Sequence, residues 1–223
     1  MAAPPHVKCL EDVPAYLWRT KSFADITVVS REKYEILAHR SINRFFDNCM
    51  RTGFVESVTG RVSLTEEFDV IEALLQHLYG VDITLLHPNT NVERNLDRLI
   101  ALYVCADKYG VADLQEKVSQ AFSSRLASIQ DPAIILSIAT AVYDQTAFFD
   151  VQLRSSMISH VQAHLDTILS TDESASTLLG IVELNLDILR HAAPILQQSQ
   201  VLRSGSAPTT PKKRRSPRIA RMS

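Results

Sequence analysis

Glycine is scarce in this chain of 223 residues: there are six, and no two lie closer than Gly53 and Gly60. A loop that cradles phosphate on successive backbone N–H groups needs glycines bunched within a few residues, so no P-loop or dinucleotide fingerprint is expected. Cysteine is equally sparse. Cys9, Cys49 and Cys105 stand far apart and form no CxxC pair, the pattern of reduced thiols in an intracellular protein, packed as small apolar side chains. No apolar run approaches the roughly 18 residues of a membrane span. The opening "MAAPPHVKCLEDVPAYL" has neither the basic start nor the apolar stretch of a signal peptide. The expectation is a protein without membrane contact, in the nucleus, the cytoplasm or both.

Catalytic constellations are missing too. Neither GxSxG nor the kinase signatures occur. His160 and His164 have the i, i+4 spacing of a zinc pair, but Val161 stands where a zincin needs glutamate, and no third ligand is evident. Glu66–Glu67 falls at a strand-to-helix turn and reads as a solvated approach to a helix. From these absences neither an enzyme nor a bound cofactor or metal is expected.

What the chain does have is enough apolar material for a core: 46% apolar and 22% charged residues. Its net charge of −2 hides an asymmetry. Seven of the 23 basic residues (Arg203, Lys212, Lys213, Arg214, Arg215, Arg218, Arg221) lie from Arg203 onward with no acid among them, leaving sixteen against 25 acids before it, a body of −9. Phosphate contacts need positive charge, so only the tail could touch nucleic acid, and weakly. Lys212, Lys213, Arg214 and Arg215 form a compact cluster of the kind read by nuclear import machinery, a solubilising or generic polyanion-binding tail being the alternative. Thr210 and Ser216 each precede proline and are candidate phosphorylation sites that would cut this charge. The Ser-, Pro- and charge-rich composition of 203–223 predicts disorder.

Periodicity predicts the elements. "DITVVS" and "YEILAH" around the polar "REK" read as a hairpin, and "GRVSLTE", alternating Val62 and Leu64 after Gly60, as a third strand. Asp69 and Glu72 have capping-box spacing for a helix whose stripe Ile71, Leu74, Leu75, Leu78 ends at Gly80. "VDITLL" predicts a short strand. Thr90 with Glu93 opens a helix carrying Leu96, Leu99, Ile100, Tyr103 and Val104 up to Gly110; Asp113 caps the next, with Leu114, Val118, Ala121 and Phe122. Beyond Leu126 the strand signals stop. Asp131–Pro132 starts a helix with Ile134, Ile138, Ala141 and Val142. Met157, Val161, Leu165 and Ile168 predict one longer helix, and Leu178, Val182, Leu186, Leu189, Ala193 and Leu196 a final stripe. The fold class is α+β.

The blocks "FADITVV", "YEILAHR", "FF", "GFVESVTGRVSL", "VIEALLQHLYGVDI" and above all "LIALYVCADKYGVADLQEKV", in this order over residues 22–125, resemble the BTB (POZ) domain. "AVYDQTAFFDVQLR" (Ala141–Arg154) is similar to the "vYesT…LR" pattern of the helical region after fungal-type BTB domains. The resemblance implies a small mixed sheet flanked by a helical cluster over 22–125, an extension at 1–21, an all-helical region at 126–202 and a tail at 203–223. It also implies that Asp25 and Arg40, with His39, face a shared partner pocket. A second reading stays open: a structural ion pair, which if buried would cost about 3–5 kcal/mol to break. The segment from His39 to Phe46 is about one helical turn shorter than the family's, in a helix that contributes to BTB self-association. The implied function is a non-enzymatic adaptor for protein partners, with a cullin-type ubiquitin ligase scaffold meeting Val81–Leu86 and Val111–Glu116. The alternative is a nuclear regulator whose BTB half oligomerises or binds a co-regulator while the tail serves import or nucleic-acid contact.

Overall fold

The β-branched runs pair as their alternation requires. β1 (Ile26–Val29) and β2 (Glu35–Ala38) are antiparallel, with Ile26 opposite Ala38 and Val29 opposite Glu35, so Ile36 and Ala38 point inward and Glu35 and Leu37 outward. Their turn closes because Lys33 takes a left-handed φ of 69° and Ser30 Oγ accepts the Tyr34 N–H at 3.2 Å. β3 (Arg61–Ser63) lies parallel to β1 on its other side, giving the order β2–β1–β3. A parallel neighbour demands a crossover. Residues 39–60 supply it as a 3-10 turn (Arg40–Ile42), α2 (Arg44–Arg51) and α3 (Val55–Thr59), and Gly60 ends α3 at φ 66°. The computed structural model describes Cys9 and residues 12–51, 53–87 and 90–204, with the backbone alone for 194–204.

Helices make up the rest: α1 (Val13–Thr20) before the sheet, then α4 (Phe68–Leu78), α5 (Val92–Lys108), α6 (Ala112–Leu126), α7 (Pro132–Gln145), α8 (Gln152–Ala163), α9 (Leu165–Ile168), α10 (Asp172–Gly180) and α11 (Val182–Ser204). The architecture is thus α+β, a three-stranded mixed sheet with a helical cluster. α5 packs against α4, α6 and α7, and α11 against α7, α8 and α10. One continuous apolar cluster runs from Ile26 in β1 to Leu184 in α11. Asn95, buried on α5, is fully occupied: its amide takes the His87 N–H at 2.9 Å and donates to the His87 and Thr90 carbonyls.

Several local expectations are corrected. No strand forms over Val81–Leu86; Arg98 Nη1 reaches the Thr84 and Leu85 carbonyls at 2.9 and 3.1 Å, and among the described residues no neighbouring strand competes for them. Asp69 is not a cap. α4 starts at Phe68 with Glu67 in the cap position, two residues earlier than expected; the Phe68 N–H goes to Glu32 Oε2 at 3.0 Å, and Asp69 pairs with Arg98. Asn91, not Thr90, caps α5 through the Arg94 N–H, and Asp113 sits inside the first turn of α6, bound to His77. Asp131 does cap α7, with Pro132 at the first position. The single helix expected over 157–168 breaks at His164, whose Nδ1–H donates to the His160 carbonyl at 2.9 Å while its backbone N–H donates to the Val161 carbonyl. A side chain has displaced the backbone donor from the i−4 carbonyl. Arg203 and Ser204, assigned to the tail, belong to α11. Thr210, Lys212, Lys213, Arg214, Arg215 and Ser216 lie outside the described residues.

Candidate functional site

Asp25, His39 and Arg40 meet at one corner of the sheet, where β1 begins and β2 ends. Asp25 Oδ1 accepts the Arg40 N–H at 2.9 Å and Oδ2 faces Arg40 Nε at 3.3 Å, with both side chains about half exposed. His39 does the opposite and is buried. A carbonyl can only accept, so the 2.8 Å contact with Ser22 O fixes the proton on Nε2; Nδ1 then accepts the Tyr79 hydroxyl at 2.6 Å. Tyr79 in turn accepts the His39 N–H at 2.9 Å. Burial pushes the Tyr79 phenol up, so it stays a hydroxyl donor to His39. The buried histidine thus ties the sheet to α4.

α1 completes the support, and the sequence reading passed over it by treating 1–21 as an extension. Trp18 packs on Tyr79 with ring centroids 5.4 Å apart, and Lys21 Nζ lies 3.1 Å from the Trp18 centroid. That ammonium is buried with no hydrogen-bond partner among the described residues, so the indole face takes the place of one. Burial lowers its pKa to about 8, against the pull of Glu72. The signal available in the sequence was Val13–Pro14, a proline in a first helical turn.

Between Lys21 and Asp25 the chain adopts an uncommon backbone. Phe23 takes φ 63° with its ring 89% exposed. A bulky residue in the left-handed region is strained, and such strain concentrates at functional positions. α3 ends beside this corner, since a Cβ on Gly60 would lie 3.8 Å from Asp25 O, and Val55 and Val58 on α3, with Phe54 just before it, are exposed. The corner therefore offers a fixed ion pair, a presented aromatic ring and an apolar helix end.

The two segments implied for a cullin contact flank the end of α4. Val81 donates to Gln76 O, and Asp113 accepts from His77 Nε2 at 2.8 Å, a bond that holds the Asp113 carboxyl below its ordinary value. A polar groove of about 870 Å³ beside α5, lined by Glu66, Glu67, Asp69, Arg94, Asp97 and Arg98 among others, was not foreseen. Glu66 is also not the solvated residue expected. It accepts from Lys108 at 2.6 Å and Tyr109 at 2.9 Å. Burial alone would raise its pKa, but these two donors prevail and hold the carboxyl low.

His160 and His164 pack in a tilted arrangement with centroids 4.4 Å apart, His160 Nε2 on the Ile129 carbonyl, so both rings are engaged within the fold. Among the described residues no group of three or more His, Cys, Asp or Glu is placed to hold a metal ion. Cys105 is buried and its thiol is pushed up to about 12, Cys49 is partly buried and raised, and Cys9 is exposed rather than packed. No described helix is long and apolar enough to cross a membrane.

The weaker sequence pattern gathers into one cluster. Arg154 is 3% exposed; its Nε donates to Thr146 Oγ1 at 3.1 Å, Nη2 to Thr146 O at 2.9 Å, and Nη1 meets Glu183 of α11 at 2.8 Å. Tyr143, Thr146, Leu153 and Arg154, the letters that carried the resemblance, thus join α7, α8 and α11. No protein-family model matches this chain and no curated protein matches it in sequence, so the likeness to the BTB domain rests on the residues quoted above.

Proposed function

We propose that this chain is a BTB-type protein-docking module that recognises partners by surface shape and charge, without bond-making. One observation carries the reading: the Asp25–Arg40 pair stands half exposed on a backbone pinned from below by His39 and Tyr79. An exposed pair contributes about 0–1 kcal/mol to folding, so stability does not account for the way it is held. Arg40 offers a planar donor fork to a partner's carboxylate or carbonyls, and Phe23 beside it offers an aromatic anchor. The partner class implied by the resemblance is a cullin-type scaffold, meeting Val81–Leu86 and Val111–Glu116 near the end of α4.

Affinity purification from cells with mass spectrometry tests this. Asp25→Asn and Arg40→Glu in the full chain are expected to cut partner capture at least tenfold while the melting temperature stays within a few degrees. Unchanged capture by both variants would sink the proposal. The charge asymmetry favours a second reading, in which the basic cluster Lys212–Arg215 drives nuclear entry and the docking half acts there. A fluorescent fusion lacking 205–223 is then excluded from nuclei; equal nuclear accumulation refutes it.

A further inference from the structure

α11 is apolar on two faces. Leu184 is fully buried, and Ile181 and Ile188 pack against the core on the same side. On the other side Val182, Leu186 and Leu189 are 65%, 47% and 66% exposed, and Ala193 is exposed as well. A helix with two apolar faces needs two partners, and the described residues supply one. The outward residues are spaced 4, 3 and 4 apart, the repeat of a coiled-coil seam rather than of a straight helix packed on a core. Val182, Leu186 and Leu189, with Leu179 of α10, line one shallow apolar groove of about 380 Å³.

The flanking charges specify the occupant. If Val182 and Leu189 are d positions, then Glu183 and Arg190, one residue after each, are both e positions. In an antiparallel pair e faces e, which sets Glu183 against the second copy's Arg190 and Arg190 against the second copy's Glu183. Leu186 and Leu189 then pack across the two-fold axis, and Val182 meets the second copy's Ala193. A parallel pair would instead oppose Asn185 to Arg190. Both charges keep surface for this: Glu183 Oε2 accepts from Arg154 and the side chain stays about half exposed, and Arg190, 60% exposed, donates from Nη1 to Asp187. An acid and a base one heptad apart on the same edge form a self-complementary pattern, as an isologous contact requires. We infer that α11 pairs antiparallel with α11 of a second copy of this chain, through Val182, Leu186, Leu189 and Ala193. The seam spans about 18 Å, so the dimer is a weak, concentration-dependent one.

Sedimentation equilibrium of the full chain up to about 100 µM tests it, a range that covers weak interfaces. The expected result is a reversible dimer, a monomer for Leu186→Glu/Leu189→Glu with unchanged far-UV circular dichroism, and at least tenfold weaker pairing for Arg190→Glu. A wild-type monomer throughout that range overturns the inference. So does a dimer indifferent to the double substitution, which would place the contact on another face. If the double substitution dissociates the dimer but Arg190→Glu does not, the antiparallel orientation is wrong. None of these variants touches Asp25 or Arg40, so the outcome is independent of the docking proposal.

Discussion

The Arg154 guanidinium lies 4.4 Å from the centre of the Tyr143 ring, one helix away from it and buried. Stacking of a planar cation on an aromatic face orients the fork so that its nitrogens reach Thr146 and Glu183 at once. Arg154→Met keeps the volume but strands the Thr146 carbonyl. We expect a loss of about 3 kcal/mol in urea unfolding. Arg154→Lys, which keeps the charge and loses the fork, should recover less than half of it. A methionine variant within 0.5 kcal/mol of wild type, roughly the noise of a surface change, would mean the cluster is not structural.

Glu66 gives an acid-limb prediction. Its folded pKa is depressed below the unfolded value, so its contribution is present above about pH 4.5 and disappears as pH falls through the lower folded value. Glu66→Gln should therefore be less stable at pH 7 by about 1–3 kcal/mol, and the gap to wild type should narrow as pH falls below about 4.5. Parallel stability curves across pH 3–7 would contradict it.

Lys21 works in the other direction. Its folded pKa of about 8 lies below the unfolded value near 10.5, so the folded state disfavours the proton. Stability should be reduced at and below pH 8 and should rise between about pH 8 and 10.5 as the unfolded chain alone stays protonated. Lys21→Met should raise stability at neutral pH and flatten this slope. Chemical denaturation of both proteins from pH 7 to 10 reads the difference; a methionine variant that retains the wild-type slope refutes the assignment.

Phe23→Gly tests the strained corner. Glycine accepts φ near 63° freely, so the variant should be more stable by about 1 kcal/mol while capturing less partner than wild type. A variant less stable than wild type would show that the exposed ring holds the fold rather than serving recognition.

Elements with strong local signals were legible from residue types alone: the hairpin from Ile26, Val28 and Ile36, and α7 from Asp131–Pro132. Caps were misassigned wherever a distant group claimed the side chain, as Arg98 claims Asp69 and His77 claims Asp113. Such contacts join residues 29 and 36 apart, beyond any window of periodicity. The final stripe was legible as a stripe, but its direction was not: Leu178 faces inward, whereas Val182, Leu186 and Leu189 face water. The break at Ile181 and the buried Leu184 turn α11 about its axis, and neither is visible in spacing. At the candidate corner, Asp25 and Arg40 were named from resemblance, but Phe23 and Lys21 depend on backbone angles and burial that residue identity does not reveal.

α5 serves as a party wall. Leu96, Leu99, Ile100, Tyr103 and Ala106 belong to the apolar cluster that also holds residues of β1, and α5 packs directly on both α4 and α7, so the sheet-bearing and all-helical portions share masonry rather than abutting. Neither portion has a finished exterior of its own, and heating should melt them in a single cooperative step. Cutting the polypeptide after residue 125 would leave half a building, with the side of α5 that packs on α7 open to the weather.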